Sequence, residues 1–197
     1  MVNAWGYPQS VNANGHEYPI RTDYRAVIDL LVALEDPDMV GETEEETNYI
    51  KCMLVMQIMI PDYRKVVEED VDEVIKEIFS FIDMGIQGKK KAVKTMDWEQ
   101  DAVLIIPAVN KVLGKEIRAE SYVHWWTFLS AYLEIGECSF SNILHIRQKK
   151  ATGKKLEKWE QDFIRDNRDM VILKTKLTEE EEINRDKDME ALANLLG

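Results

Sequence analysis

SYVHWWTFLSAYLEIGECSFSNILHIRQKKATGKKLEKW, residues 121–159, decides the fold class. Its apolar residues recur at helical rather than strand spacing. Tyr122, Trp125, Trp126, Leu129 and Leu133 predict one helix, and Gly136 stops it. Ser139 or Ser141 caps a second, short helix carrying Phe140, Ile143 and Leu144. Ala151-Thr152-Gly153 breaks the chain, and Leu156, Trp159, Phe163 and Met170 mark a third helix. Three helical runs in so short a stretch predict a mainly α chain.

The same period governs most of the sequence. Residues 23–34 predict a helix with Tyr24, Val27, Ile28, Leu31 and Leu34 on one face, ended by Asp36-Pro37-Asp38. Thr43 with Glu46 makes a capping box, because the hydroxyl and the carboxylate satisfy each other's backbone N–H groups. The helix it opens presents Ile50, Met53, Leu54, Met56 and Ile60 and ends at Pro61. Val67, Val71, Val74, Ile75, Ile78 and Ile82 predict the next. Gly85, Gly88 and Lys89–Lys91 predict a loop. Asp97 with Gln100 forms a second capping pair before Trp98, Ala102, Ile105, Ile106, Val109 and Leu113. Pro107 should kink that helix and Gly114 close it. Thr178 with Glu181 caps a last helix facing inward through Met189, Leu192, Leu195 and Leu196. The N-terminus differs. Asn14-Gly15 suits a two-residue hairpin turn, where both positions need positive φ, with Val11 before it and Tyr18, Pro19 and Ile20 after. Pro19 marks an edge strand. The expectation is a multi-helix globular domain, residues 21–173, with a partly exposed β-hairpin arm at 1–20 and an acidic C-terminal helix at 174–197. The arm should be dispensable for the helical core, and its free edge offers a route to a homo-oligomer.

The 197 residues are 45% hydrophobic and 31% charged, the balance of a water-soluble domain. No apolar run approaches the ~20 residues that span a bilayer. The first ten residues lack the basic and apolar regions of a signal peptide, and two cysteines make no disulfide framework. Cys52 reads as reduced core, so the expected location is the cytoplasm. A net charge of −12 argues against nucleic acid as a partner. The charge is uneven: residues 146–176 carry 10 bases against 5 acids, and residues 177–197 carry 7 acids against 2 bases.

No phosphate loop, nucleophile elbow or short His/Cys spacing suited to zinc is present. The acidic clusters at 44–46, 68–73 and 179–182 sit near helix starts, where the dipole favours negative charge. These patterns predict a binding module, not an enzyme, with no metal and no cofactor. Three features are candidates for a partner surface. Trp125 and Trp126, adjacent and so about 100° apart on a helix, either flank a wide buried face or include a partner anchor. Met53, Met56 and Met59 either fill the core or line a pliable groove. Arg147, Lys149, Lys150, Lys154, Lys155 and Lys158 either form a solvated surface or grip an acidic partner.

Three blocks resemble one family. The His124-Trp125-Trp126-x-Phe128 core, with the Ser/Ile/Arg helix after it and GKKLEKWE at 153–160, resembles the siphophage "gene-product-fifteen" family. So do NGHEYPIRTDYRAVIDLL at 14–31 and DWEQDAVLII at 97–106. Genes of this family typically lie between those of the major tail protein and the tape-measure protein. The resemblance therefore implies a phage or prophage tail assembly chaperone in the host cytoplasm, binding the tape-measure protein and recruiting tail-tube protein. The alternatives are a structural tail or head–tail component kept in the virion, and a small nucleic-acid-binding regulator acting through Arg147–Lys158.

Overall fold

The computed structural model describes residues 6–85 and 93–174. The Gly88–Lys91 part of the expected loop and nearly all of the C-terminal helix lie outside those residues. The chain is mainly helical with an N-terminal two-stranded hairpin. Strands β1 (Ser10–Ala13) and β2 (His16–Pro19) pair antiparallel with Val11 opposite Tyr18 and Ala13 opposite His16. Asn14 and Gly15 take φ of 51° and 91°, the geometry the turn requires. The helices are α1 (Tyr24–Leu34), α2 (Glu44–Met59), α3 (Val71–Ile82), α4 (Ala102–Leu113), α5 (Trp125–Leu133), α6 (Ser139–Ala151), α7 (Lys158–Asp166) and α8 (Arg168–Val171). Among the described residues no helix is long and apolar enough to cross a membrane.

Side-chain caps fix most of the helix starts. Asp23 accepts from Arg25 N–H at α1, and Thr43 accepts from Glu46 N–H at α2 (3.1 Å) while Glu46 accepts from Glu42 N–H. At α6 the Ser141 hydroxyl accepts from Cys138 N–H, one position earlier than a serine N-cap would place it. Asp97 caps a turn over 98–100, and α4 begins only at Ala102, continues through Pro107, and ends at Gly114 with φ 68°. Gly41 is required by close approach, since a Cβ there would lie 2.4 Å from Glu46 Cβ at the start of α2.

The hairpin is not an arm. Val11, Ala13, Tyr18 and Ile20 are buried in the same apolar cluster as α1, α2, α3 and α5. The ribbon lies on α3, so the inner face that a free hairpin would expose is covered by helix. Behind it, Tyr24 N–H donates to Val123 O and Trp125 N–H to Thr22 O, an isolated antiparallel bridge between Asp23 and His124. The segment before α1 is thereby tied to the segment before α5, a hundred residues on.

Helix α5 explains how two adjacent tryptophans are both buried. Trp125 and Trp126 are 1% and 3% exposed. Their indole N–H groups donate to Ile82 O and Phe81 O, each at 2.8 Å. Those carbonyls belong to the last turn of α3, where helical pairing runs out, although Phe81 O also accepts from Met84 N–H just past the helix. Tyr24 and Trp125 stack on Phe128, with ring centroids 4.9 and 5.5 Å away. Phe128, not Tyr122 or Leu133, is the inward residue here, and the latter two are exposed. A smaller core of Ile143, Ile146 and Val171, with Leu104, Leu156, Phe163 and Ile164, joins α6–α8 to α4.

Candidate functional site

Three buried charges hold elements together. Asp70, just before α3, receives the Tyr18 hydroxyl (2.6 Å), Asn14 Nδ2 (2.8 Å) and His16 Nδ1 (2.7 Å), all from the hairpin. Its carboxyl is held below the ordinary range, chiefly by the Tyr18 hydroxyl and next by the Asn14 amide, against the opposing effect of burial. The same contact raises the Tyr18 hydroxyl. Glu160 accepts from Lys149 Nζ and from Glu157 N–H, each at 2.7 Å. Lys149 is the main cause of its lowered pKa.

Arg147 is the third. It is 5% exposed and spends all five guanidinium N–H groups inside the protein. Two meet Asp101 in a bidentate pair at 2.6 and 2.9 Å; the others reach Thr95 O, Met170 O and Val171 O. Arg147 is therefore not part of a solvated or partner-gripping basic surface, as its sequence context suggested. Helix α6 runs to Ala151, longer than expected, so Arg147, Lys149 and Lys150 all lie on it. Lys149 is turned toward Glu160, while Lys150, Lys154, Lys155 and Lys158 remain exposed around the Gly153 turn. The expected apolar stripe of α7 is also displaced, since Glu160 is buried and Trp159 is 50% exposed.

The aromatic pair is likewise withdrawn from any partner-facing surface by its burial. The methionines divide. Met59 is enclosed in the core, Met56 is buried at its edge, and Met53 is half-buried. Met53 and Met56 line an open groove of about 480 Å³ with Tyr49, Cys52, Tyr63, Arg64, Val66, Glu68, Val71 and Asp72. A neighbouring groove of about 400 Å³ is lined by Leu34, Asn48, Lys51, Cys52, Val55, Ile75 and Phe79. Cys52 belongs to both, and both take a wall from α3. The cause is the packing of α2, which lies closely along α1 but touches α3 sparsely. The result is a two-part apolar trough between α2 and α3. Its α2 wall repeats at 49, 52, 53 and 56, one face of the helix.

A family model described as Bacteriophage Gp15 protein matches residues 7–173. The chain belongs to that family. Neither a curated protein nor a solved structure matches it. Family membership makes this a bacteriophage protein and suggests a part in the structure or assembly of the particle. The match runs from Tyr7, before β1, past α8, so this Gp15-family chain carries its hairpin within the family's own span.

Sequence reasoning found two of the trough's residues, Met53 and Met56, and missed its other wall. Tyr49 is 67% exposed and one turn before Met53, a signal that was available. Tyr63, Val66, Val71 and Phe79 join it only through the crossing of α2 and α3, which local periodicity does not encode.

Proposed function

We propose that this Gp15-family protein is a tail assembly chaperone, a binding module and not an enzyme, that covers apolar helical stretches of the tape-measure protein and recruits tail-tube subunits. The observation that supports this reading is the apolar trough between α2 and α3. A long helical tape measure presents apolar stripes until the tube encloses it. A groove of methionine, aliphatic and aromatic side chains suits such stripes, because Met adapts to irregular partners. The net charge of −12 would keep the coated assembly in solution.

Co-expression with the tape-measure protein tests the proposal. Soluble tape measure should rise with this protein and co-purify with it, while mass spectrometry of finished virions should find the protein absent. Its presence in virions at stoichiometric amounts would favour a retained tail component. An insoluble tape measure with and without it would sink the chaperone reading.

A further inference from the structure

We infer that the α2–α3 trough takes an amphipathic helix with basic flanks, seated by an apolar stripe two turns long. The inference deepens the chaperone reading and rests on it only for the partner's identity. The length follows from the walls. Tyr49 to Met56 on α2 and Val71 to Phe79 on α3 each span about 10–12 Å at 1.5 Å per residue. That matches anchors at i, i+3 or i+4, and i+7 of a bound helix.

The basic flanks follow from charge. Residues 44–83, which build both long walls, carry 11 acids against 4 bases. Three of the four bases are already engaged. Lys65 pairs with Asp62, Lys76 pairs with Glu73, and Arg64 folds over the Tyr63 ring. Lys51 stands at the edge of the second groove, and Arg64, charged still, lines the first. Glu68 and Asp72 stand exposed on the rim of the first, and Glu45 is exposed on the helical line of Tyr49. An apolar floor within an acidic frame favours a partner that is apolar along one stripe and cationic beside it.

The same charge argues against the other candidates. Residues 175–197 of this chain carry 7 acids against 3 bases and would meet like charge in the trough. A second copy, at −12, would do so over most of its surface, and among the described residues its basic turn around Gly153 brings no free apolar stripe, since Leu156, Phe163 and Ile164 pack in the smaller core.

Two labelled 18-residue peptides test this with the full chain, read by fluorescence anisotropy. Both carry Leu at i, i+3, i+4 and i+7; one has Lys at the remaining positions, the other Glu. The Lys peptide should bind at least tenfold more tightly than the Glu peptide, and the difference should shrink as salt is raised. Glu68→Lys with Asp72→Lys, both on the exposed rim, should reduce or invert that preference in a variant that stays folded by circular dichroism, with a melting temperature only a few degrees lower because both acids sit at the start of α3. Met53→Arg should weaken both peptides at least tenfold. Backbone amide shifts on adding the Lys peptide should cluster on Tyr49, Cys52, Met53 and Val71. Equal binding of the two peptides, a preference that survives the rim reversal, or shifts centred elsewhere would overturn the inference. Co-purification of the tape measure with the rim variant at wild-type yield would also overturn it while leaving the chaperone reading standing. Selective binding of the Lys peptide alongside failure to bind tape measure would do the reverse.

Discussion

Replacing Arg147 with Met should be among the most damaging single changes in this protein. The Arg147 and Asp101 side chains are 4% and 1% exposed. The substitution keeps an apolar stem of similar reach but deletes the guanidinium. Asp101 then retains the Asp97 N–H as a donor, and Thr95 O, Met170 O and Val171 O lose the guanidinium. Breaking one side of a buried ion pair typically costs ~3–5 kcal/mol, because the surviving charge stays buried without its partner. For a chain of this length each kcal/mol moves the melting temperature by about 2–4 °C, so the fall should be roughly 6–20 °C. Adding Asp101→Asn to the variant should restore part of the loss, since the stranded charge is gone while an acceptor for Asp97 N–H remains. Lys158→Glu, at an exposed position in the same basic stretch of sequence, should change stability by no more than ~0.5 kcal/mol. Thermal and urea unfolding followed by circular dichroism measure all three. If Arg147→Met melted within a degree or two of the parent protein, the pair would not be sealed from water and the reasoning would fail.

Three further outcomes are expected. Trp126→Ala should cost ~3–5 kcal/mol, chiefly by opening a core cavity, since Phe81 O keeps Met84 N–H when the indole donor is lost, and wild-type melting with loss of partner binding would refute its role in packing. Deleting residues 1–20 should abolish cooperative unfolding, because it removes Val11, Ala13, Tyr18 and Ile20 from the core and all three hairpin donors from Asp70; an intact sigmoidal melt of the truncated chain would contradict this. His124 caps α5, its Nδ1 accepting from Trp126 N–H and its Nε2–H donating to Pro8 O, and burial lowers its pKa below the usual 6.5. Below pH 6.5 the unfolded chain therefore binds a proton that the native state resists. The His124 contribution should be fully present above that pH and be lost as pH falls through the native value, and His124→Asn should flatten this limb of the stability curve.

The parts legible in the sequence were those set by a few neighbouring residues. Asn14-Gly15 announced the hairpin because few dipeptides accept positive φ twice, and Thr43 with Glu46 announced α2 because the cap is closed within one turn. The misreadings share a cause. Leu156, Trp159 and Phe163 predicted the inner stripe of α7, yet Glu160 takes the buried place because Lys149 waits on α6. Arg147 looked like one cation among several because its carboxylate, Asp101, lies 46 residues away on another element. Tyr122 and Leu133 fitted the period of α5, but the helix starts at Trp125 and packs on α4 and α1, where Phe128 meets Tyr24 and Trp98. In each case a long-range partner chose the face, and periodicity alone cannot name that partner.

The buried charges and the half-covered apolar residues divide the molecule by task. Among the described residues every buried side-chain nitrogen and oxygen has a hydrogen-bond partner. Asp70 locks the hairpin to the start of α3, Arg147 locks α6 to the turn before α4, and Glu160 locks α6 to α7. Each of these polar clusters is satisfied within the chain, so moving one would strand a buried group. Met53, Tyr49 and Phe79 are in the opposite condition. They are apolar, partly wet, and held on two helices that α1 and the hairpin already anchor. Covering them would gain about 25 cal/mol for each Å² removed from water, with little ordering to be done first, since the walls are preformed. A surface of that kind favours a partner that arrives with its own apolar stripe. This is why the trough, rather than the basic turn around Gly153, is the face on which binding should be sought.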